Sequence, residues 1–286
     1  MLEYWINGIL ENQREKIVWS LPSSNPPLHY SIIPEGWSHT AGDERVVEIE
    51  KKTKASERKI GLFGGTFNPI HQGHLRGAEE IREAFHLEKV IFIPSSIPPH
   101  KMTEKIIEAK HRLEMVRLAT SNNPHFSTSD VELSRPGKSY SIDTIRYFLG
   151  RQQKTLYFIL GRDAFVEIET WKEFQNLFSI CHFIVMARLG FQKDTLSSQL
   201  PKALMRHFQY VPREKAWIHT SGHHLYFKEI SFLDISSTKI RELVQKGKSV
   251  RYLIPAEVEV YIQKHGLYRK SPWLKKAYAH HFLFVI

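Results

Sequence analysis

Short apolar runs alternate with amphipathic segments along the chain from residue 59 onward. Runs of this length are typical of strands that are buried on both faces of a sheet. Between them, apolar residues recur at helical spacing, as in Leu75, Ala78, Ile81 and Phe85. The pattern predicts strands over 60–63, 90–93, 155–160 and 182–186, and helices over 75–85, 110–120, 141–149 and 166–178.

Two further helices are predicted from the residues at their ends. Ser237 is a suitable N-cap for a helix that ends at Gly247. Pro255 suits the first turn of a second helix, which Gly266 closes. Strands that alternate with helices predict an α/β fold, with a parallel sheet flanked by helices on both faces and a small C-terminal helical part.

The first 58 residues do not follow this pattern. Several prolines interrupt them, and a charged run covers 43–58. Such composition seldom builds a core. We therefore predict an N-terminal extension over 1–58, either poorly ordered or the result of a mis-assigned start, a single folded domain over 59–270 and a C-terminal tail over 271–286.

Composition and charge exclude several classes of protein. The one cysteine, Cys181, allows neither an internal disulfide nor a cysteine-based zinc site, which suits a reducing cytoplasm. No apolar run approaches the ~20 residues of a membrane span, and no signal peptide is visible. The formal net charge is +10. Since residues 1–58 are slightly acidic, the rest of the chain is the part expected to meet anions.

The segment from Gly64 to His74 carries the most chemical information. It follows a predicted strand and opens a predicted helix. Gly64 and Gly65 lack side chains where a backbone must come close to something, and a helix N-terminus favours an anion. His71 and His74 can donate hydrogen bonds to phosphate oxygens. A histidine pair alone also fits an ordinary polar loop, but the preceding strand end favours a binding site.

A second segment, 235–241, places Ser236, Ser237 and Thr238 at a helix N-terminus. That end exposes unpaired N–H groups and carries the positive end of the helix dipole. Lys239 and Arg241 add positive charge within one turn. The hydroxyls can either cap the helix or bind phosphate.

Together these segments resemble the bacterial nicotinate-nucleotide adenylyltransferase family, which has a His-x-Gly-His signature. The run 64–74 is similar to the family's N-terminal motif, with Asn68 where Asp is usual, and 235–241 is similar to its C-terminal motif. Between them, 97–101 resembles the substrate loop, and 139–144 resembles the Ser-Tyr-Thr-x-x-Thr segment with Ser141 in place of the first Thr. Gly161-x-Asp163 followed by Trp171 matches a further pattern, so the resemblance covers roughly 59–270.

The resemblance implies a Rossmann-like nucleotidyltransferase fold and the transfer of AMP from ATP to nicotinate mononucleotide, giving deamido-NAD and pyrophosphate. It implies catalytic roles for His71, His74 and Arg241, with Mg²⁺ carried by the ATP phosphates and no metal site of the protein's own. The implied ATP-binding residues are Gly64, Gly65, Thr66, Phe67, Gly161, Asp163, Ile235, Ser236, Ser237 and Thr238. The candidate residues for nicotinate mononucleotide are Lys101, Tyr140, Thr144, Trp171 and Arg188.

Structural roles are alternatives for each acceptor-site residue. Trp171 either stacks on the pyridine ring or belongs to the core side of a helix over 164–178. Lys101 and Arg188 either bind the acceptor's phosphate or carboxylate, or are solvated surface charges. Tyr140 and Thr144 are one helical turn apart, so both are expected to face one pocket unless they are structural.

Other functions are disfavoured by specific features. No third ligand lies at suitable spacing from His223 and His224, so a metal site there is not expected. No interleaved aromatic and basic stripe supports nucleic-acid binding. An enzyme that prefers nicotinamide mononucleotide, or accepts both acceptors, stays open as an alternative. An inactive nucleotide-binding regulator is disfavoured because both phosphate-binding segments are intact.

Overall fold

The computed structural model describes residues 58–98, 106–151, 154–187, 200, 202–231 and 233–269. Within these residues one mixed sheet has the strand order β3-β2-β1-β4-β5-β8-β7-β6. The strands are β1 (Lys59–Gly65), β2 (Lys89–Pro94), β3 (Phe126–Thr128), β4 (Thr155–Gly161), β5 (His182–Ala187), β6 (Phe208–Val211), β7 (Ala216–His219) and β8 (His224–Glu229).

The helices are distributed between these strands. They are α1 (Gln72–Phe85), α2 (Ala109–Thr120), α3 (Ser141–Leu149), α4 (Arg162–Val166), α5 (Phe174–Ile180), α6 (Lys202–Met205), α7 (Ser237–Gln245) and α8 (Ala256–Lys264). A short 3-10 helix, Ile168–Thr170, lies between α4 and α5.

Six neighbouring strands, from β3 across to β8, pair in parallel. The four predicted strands all lie among them, so the predicted parallel α/β sheet is confirmed. The far edge differs from the prediction, because β6 and β7 pair antiparallel and β7 pairs antiparallel with β8. These strands are short and mix polar with apolar residues, so their pattern gives little periodic signal.

The predicted helix over 166–178 is wrong as a continuous element. The chain forms α4, then the 3-10 helix, then α5. Trp171 has an extended backbone, with φ −80° and ψ 144°. Glu173, just before α5, has a left-handed backbone with φ 52°. The non-helical stretch from Trp171 to Glu173 separates the two helical segments, so Trp171 does not lie on a helix face.

Helices cover both faces of the sheet. Along β4, Leu156, Phe158 and Leu160 belong to one apolar cluster, and Tyr157 and Ile159 belong to the other. The first cluster includes residues of α3, α4, α5 and α6, and the second includes residues of α1, α2, α7 and α8. This alternation follows from the two-residue period of a strand, and it confirms the prediction of helices on both sides.

The strand order reverses between β1 and β4, which are adjacent and parallel. β1 continues to β2 and β3 on one side, and β4 continues to β5 on the other. In open α/β sheets a crevice forms outside the carboxyl ends of the strands at such a reversal. The fold therefore predicts a binding cleft beside Gly65 and Gly161, the last residues of β1 and β4.

The predicted extension and tail lie outside the described residues, apart from Arg58. Within the described ranges, no helix combines the length and apolar character needed to cross a membrane.

Candidate active site

Two adjoining cavities open at the carboxyl ends of the parallel strands. The wider has a volume of about 670 Å³ and the narrower about 260 Å³. Thr66 and Gly161 line both, so the cavities meet where the strand order reverses. The predicted residues that line the wider cavity are Thr66, Phe67, His71, His74, Gly161, Asp163, Ile235, Ser236, Ser237, Thr238 and Arg241. Those that line the narrower one are Gly64, Gly65, Thr66, Tyr140, Gly161 and Trp171.

The loop between β1 and α1 is shaped by close packing of its own residues. A Cβ at Gly65 would lie 2.8 Å from the ring of Phe67, and one at Gly64 would lie 3.2 Å from the ring of Phe158. Phe67 itself has a left-handed backbone with φ 46°. The sequence predicted that something comes close to the backbone at these two glycines. In the structure, the rings of Phe67 and Phe158 do so. The glycines let the loop fold tightly along the wall that both cavities share.

His71 and His74 stand at the start of α1. His71 is its N-cap, and the two imidazole rings stack with their centroids 3.6 Å apart. The backbone N–H of His71 donates to Nδ1 of His74 at 3.2 Å. Because Nδ1 of His74 accepts, the hydrogen of the neutral ring lies on Nε2, which is the arrangement needed to donate to a phosphate oxygen.

The environment of His71 keeps its ring uncharged. The residue is only 6% exposed, and burial lowers its pKa to about 4. The charged form is disfavoured because the low-dielectric surroundings do not replace the water it would lose. At neutral pH His71 therefore serves as a neutral hydrogen-bonding group beside His74.

The segment before α7 is hydrogen-bonded directly to the loop before α1. Oγ of Ser237 donates to the carbonyl oxygen of Pro69 at 2.7 Å, and Nη1 of Arg241 donates to that of Asn68 at 2.9 Å. Arg241 also donates from Nη2 to Oγ1 of Thr238 at 3.2 Å. Although the two predicted phosphate-binding segments are far apart in sequence, the fold joins them into one wall of the wider cavity.

The structure corrects the predicted cap of α7. Ser236, not Ser237, is the N-cap, and its Oγ accepts from the backbone N–H of Lys239 at 3.2 Å. Ser237 is the first residue inside the helix, and its hydroxyl is directed to Pro69. Adjacent serines give the same sequence signal, so the sequence alone does not decide which of them caps.

Asn68, which replaces the usual Asp of the motif, is 2% exposed. Its Oδ1 accepts a hydrogen bond from the hydroxyl of Tyr268 at 3.0 Å. Burial raises the pKa of Tyr268, so its hydroxyl stays protonated and able to donate. The neutral Asn68 side chain is therefore hydrogen-bonded although it is buried. The carboxylate of an Asp at this buried position would need a charged partner.

Trp171 and Tyr140 both line the narrower cavity. Trp171 is half-buried and stands edge-on to Phe158, with ring centroids 6.2 Å apart. Tyr140 is the residue just before α3. The two rings give this cavity aromatic walls, which suits a flat ligand ring.

The expectation that Thr144 faces the same pocket is corrected by its burial. Thr144 is 1% exposed and is not among the residues that line the cavity. Its Oγ1 donates to Oε1 of Glu132 at 2.6 Å and accepts from Arg135. Glu132 does line the cavity, and burial raises the pKa of its carboxyl group. Thr144 therefore lies behind the wall and holds Glu132.

The predicted cations Lys101 and Arg188 lie outside the described residues. Among the described residues that line the narrower cavity, the one cation is Lys172, which sequence reasoning did not select. Its Nζ lies 4.8 Å from the ring centroid of Tyr140 and 3.1 Å from Oδ2 of Asp143. Its position directly after Trp171 is a signal that could have identified it.

The chain is similar to proteins of known family. A family model described as cytidylyltransferase-like matches residues 62–243. A protein of Geotalea daltonii, named probable nicotinate-nucleotide adenylyltransferase, is 45% identical over 211 residues, which are 73% of this chain and 98% of that protein. A protein of the same name from Citrifermentans bemidjiense is 46% identical with the same coverage. The chain belongs to the nicotinate-nucleotide adenylyltransferase family.

Solved structures support the fold of this adenylyltransferase. The nicotinic acid mononucleotide adenylyltransferase of Plasmodium falciparum, solved in complex with NaAD, aligns with a TM-score of 0.57 at 21% identity. The alignment covers 74% of the adenylyltransferase chain described here and 97% of the other. At that identity the likeness concerns the fold, and it confirms the predicted Rossmann-like nucleotidyltransferase architecture.

Proposed function

We propose that this adenylyltransferase transfers the AMP group of ATP to the phosphate of nicotinate mononucleotide, giving deamido-NAD and pyrophosphate. The observation that carries the proposal is the meeting of two cavities at Thr66 and Gly161. One cavity is wide and lined by histidines, hydroxyls and Arg241, and the other is narrow and has aromatic walls. ATP in the first and the mononucleotide in the second would bring their phosphates together at the shared residues.

The ATP phosphates would lie along the wall formed by the starts of α1 and α7. His71, His74 and Arg241 line this region, and the first N–H groups of α7 would add donors. His74, whose hydrogen lies on Nε2, would donate to the α-phosphate, where charge changes during transfer. Gly161 and Asp163 would contact the adenosine end, since a carboxylate suits ribose hydroxyls.

The acceptor would occupy the narrower cavity. Trp171 would stack on the pyridine ring, with Tyr140 beside it and Thr144 acting from behind through Glu132. Lys172 would supply positive charge near the acceptor's anionic groups. Lys101 and Arg188 stay proposed as further phosphate or carboxylate ligands.

The chemistry needs no protein nucleophile. An oxygen of the mononucleotide phosphate attacks the α-phosphorus of ATP, and the bond from that phosphorus to its bridging oxygen breaks. Pyrophosphate leaves with the bonding electrons. In such in-line transfers the protein contributes mainly positioning and stabilisation of charge, and the residues around the shared region are of the types that provide both.

Mg²⁺ is proposed to accompany the triphosphate. Asp163 and Asp234 line the wider cavity, and carboxylate and phosphate oxygens are the ligands that Mg²⁺ prefers. Across the described ranges no group of three or more His, Cys, Asp or Glu side chains is placed to hold a metal ion. We propose that phosphate oxygens supply most of the ligands, since Mg²⁺ prefers such oxygens and usually keeps several of its waters. When bound, the cation neutralises charge on the leaving pyrophosphate.

The decisive experiment measures pyrophosphate release by purified protein with ATP, Mg²⁺ and nicotinate mononucleotide. A parallel reaction replaces the acceptor with nicotinamide mononucleotide. We expect release with the nicotinate acceptor and a lower kcat/KM with the amide. A higher kcat/KM for the amide would establish the alternative specificity, and no release with either acceptor would contradict the proposed reaction.

The single, buried cysteine supports a cytoplasmic location for the enzyme.

A further inference from the structure

Arg112 is a buried cation in α2 whose role the sequence did not reveal. The residue is 1% exposed, and it is the one charged residue among the buried residues of α2, most of which are apolar, such as Met115 and Val116. Its guanidinium donates to three backbone carbonyl oxygens, those of Ile107 at 3.1 Å, Thr66 at 2.7 Å and Ser96 at 2.9 Å. These three carbonyls come from three separate segments of the chain.

A cation at this position is costly for the fold. Burial lowers the pKa of Arg112 to about 10, so the group keeps its charge at neutral pH without the solvation it would have in water. A helix face that packs against a sheet needs only apolar residues. The packing of α2 therefore does not explain Arg112, and its three hydrogen bonds locate its role at the carbonyls it binds.

The bond to Thr66 lies at the most constrained part of the site. Thr66 lines both cavities, and the next residue, Phe67, has φ 46°, a conformation that a bulky side chain rarely adopts. Such conformations persist only where the surroundings enforce them. The 2.7 Å bond from Arg112 to the carbonyl of Thr66 is one such constraint, and the packing of the Phe67 ring over Gly65 is another.

Fixing a carbonyl also fixes the amide on the other side of the same peptide. The peptide group is planar and trans, so its C=O and N–H point in opposite directions. Because the carbonyl of Thr66 is directed to Arg112, the N–H of Phe67 is directed away from α2. Thr66 and Phe67 both line the wider cavity, which places this amide at the wall beside the shared region.

The hydrogen bond from Arg112 to Ser96 connects the wall of the narrower cavity to the same guanidinium. Arg112 donates to the carbonyl of Ser96, and the N–H of Ser96 donates to Oγ of Ser139 at 2.8 Å. The N–H of Ser139 donates to the carbonyl of Ile97 at 3.1 Å. Through these bonds one side chain links the loop after β1, the loop after β2 and the start of α3, beside Tyr140.

We propose that Arg112 is a positioning residue for adenylyl transfer, which orients the Thr66–Phe67 peptide so that the Phe67 N–H donates to the transferred phosphate. This inference rests on the proposed function. A planar guanidinium suits the task because its donors are fixed relative to one another and reach three acceptors at once. A lysine ammonium has no such fork, so it would hold fewer of the three carbonyls.

The test compares Arg112→Met and Arg112→Lys with wild type. Arg117→Met is the matched control, because Arg117 lies on the same helix with its side chain 52% exposed. We expect kcat to fall about 100-fold in Arg112→Met, the usual loss for one oriented donor, and less in Arg112→Lys. KM for both substrates should change less than about threefold, and the control should match wild type. Urea unfolding gives the folded fraction, so that kcat is expressed per folded molecule.

A second readout does not depend on turnover. The protein is labelled with ¹⁵N-phenylalanine, and the NMR signal of the Phe67 amide is assigned by its loss in Phe67→Tyr. Addition of a non-hydrolysable ATP analogue should change the chemical shift of this signal in wild type and in Arg117→Met. The change should be smaller in both Arg112 variants. If Arg112→Met does not fold, the same comparisons on Arg112→Lys decide.

Three outcomes are separable. A folded Arg112 variant with wild-type kcat and a wild-type amide response would overturn the inference. Equal losses in kcat and in affinity for both substrates would also overturn it, since they indicate a general structural role. A Phe67 response in wild type that is lost in the variants would support the positioning role even if the wild type released no pyrophosphate, in which case it is the proposed function that fails.

Discussion

Acid should destabilise this adenylyltransferase through His71. The residue is 6% exposed, and burial lowers its pKa from 6.5 to about 4. As the pH falls below 6.5, the unfolded chain takes up a proton at this histidine while the folded protein does not. Folding stability from the neutral, buried ring is therefore complete above about pH 6.5 and is lost as the pH falls through the folded-state pKa.

The size of the effect follows from the two pKa values. Each pKa unit corresponds to about 1.4 kcal/mol, so the loss approaches about 3 kcal/mol below pH 4 and is about 2 kcal/mol at pH 5. Other groups also contribute. Burial lowers the pKa of His219 and His223, which adds to the loss in acid, and raises that of Glu132, which acts in the opposite direction. A variant is needed to isolate His71.

The assay is urea unfolding at pH 8 and pH 5, for wild type and for His71→Asn. The substitution itself changes the free energy of unfolding at both pH values, so the comparison uses the change in this free energy between pH 8 and pH 5. This change should be about 2 kcal/mol smaller in His71→Asn than in wild type. His86→Asn is the control, since His86 is exposed at the end of α1 with φ 52°, a conformation that asparagine tolerates. Equal pH dependence in wild type and His71→Asn would refute the reasoning.

Four substitutions test other parts of the site. His74→Ala should lower kcat for pyrophosphate release by at least ~100-fold, and near-normal turnover would remove His74 from the reaction. Trp171→Ala should raise KM for nicotinate mononucleotide about tenfold through lost stacking with KM for ATP unchanged, and an unchanged acceptor KM would place Trp171 outside the pocket. Ser236→Ala should lower the free energy of unfolding by about 1 kcal/mol in urea, and no change would argue against its capping role. Gly65→Ala should cost about 1–3 kcal/mol, because its methyl group would lie 2.8 Å from the ring of Phe67, and a stable variant with full activity would contradict that close packing.

The parts of the fold that sequence could predict have continuous apolar runs or apolar residues at helical spacing. The runs over 60–63 and 155–160 lie in strands whose central residues are buried, so these residues are mostly apolar. The start of α1 at His71 and the start of α7 at Ser236 and Ser237 were marked by polar side chains that suit a helix N-terminus. The short strands β6 and β7, at one side of the sheet, alternate weakly and are stabilised by their neighbours, so local pattern could not predict them.

The parts of the site that sequence could not predict depend on long-range hydrogen bonds. Spacing alone placed Thr144 in the pocket, but its hydroxyl is directed to Glu132 behind the wall. Nothing in the local pattern distinguishes Arg112 from other charged helix residues, although its guanidinium binds a carbonyl 46 positions away. Periodicity indicates which face of a helix is buried, but it does not show which buried polar group finds an acceptor.

The contacts between the two phosphate-binding segments refine how they would hold a nucleotide. The hydroxyl of Ser237 has one hydrogen, and it donates that hydrogen to Pro69. Phosphate oxygens accept hydrogen bonds, so the Ser237 hydroxyl could serve them only by leaving the loop before α1. The N–H groups of Ser237 and Thr238, in the first turn of α7, have no acceptor within their own helix. We therefore expect backbone amides of α7 to bind the phosphates, while the side chains of Ser237 and Arg241 hold that helix against the histidine loop.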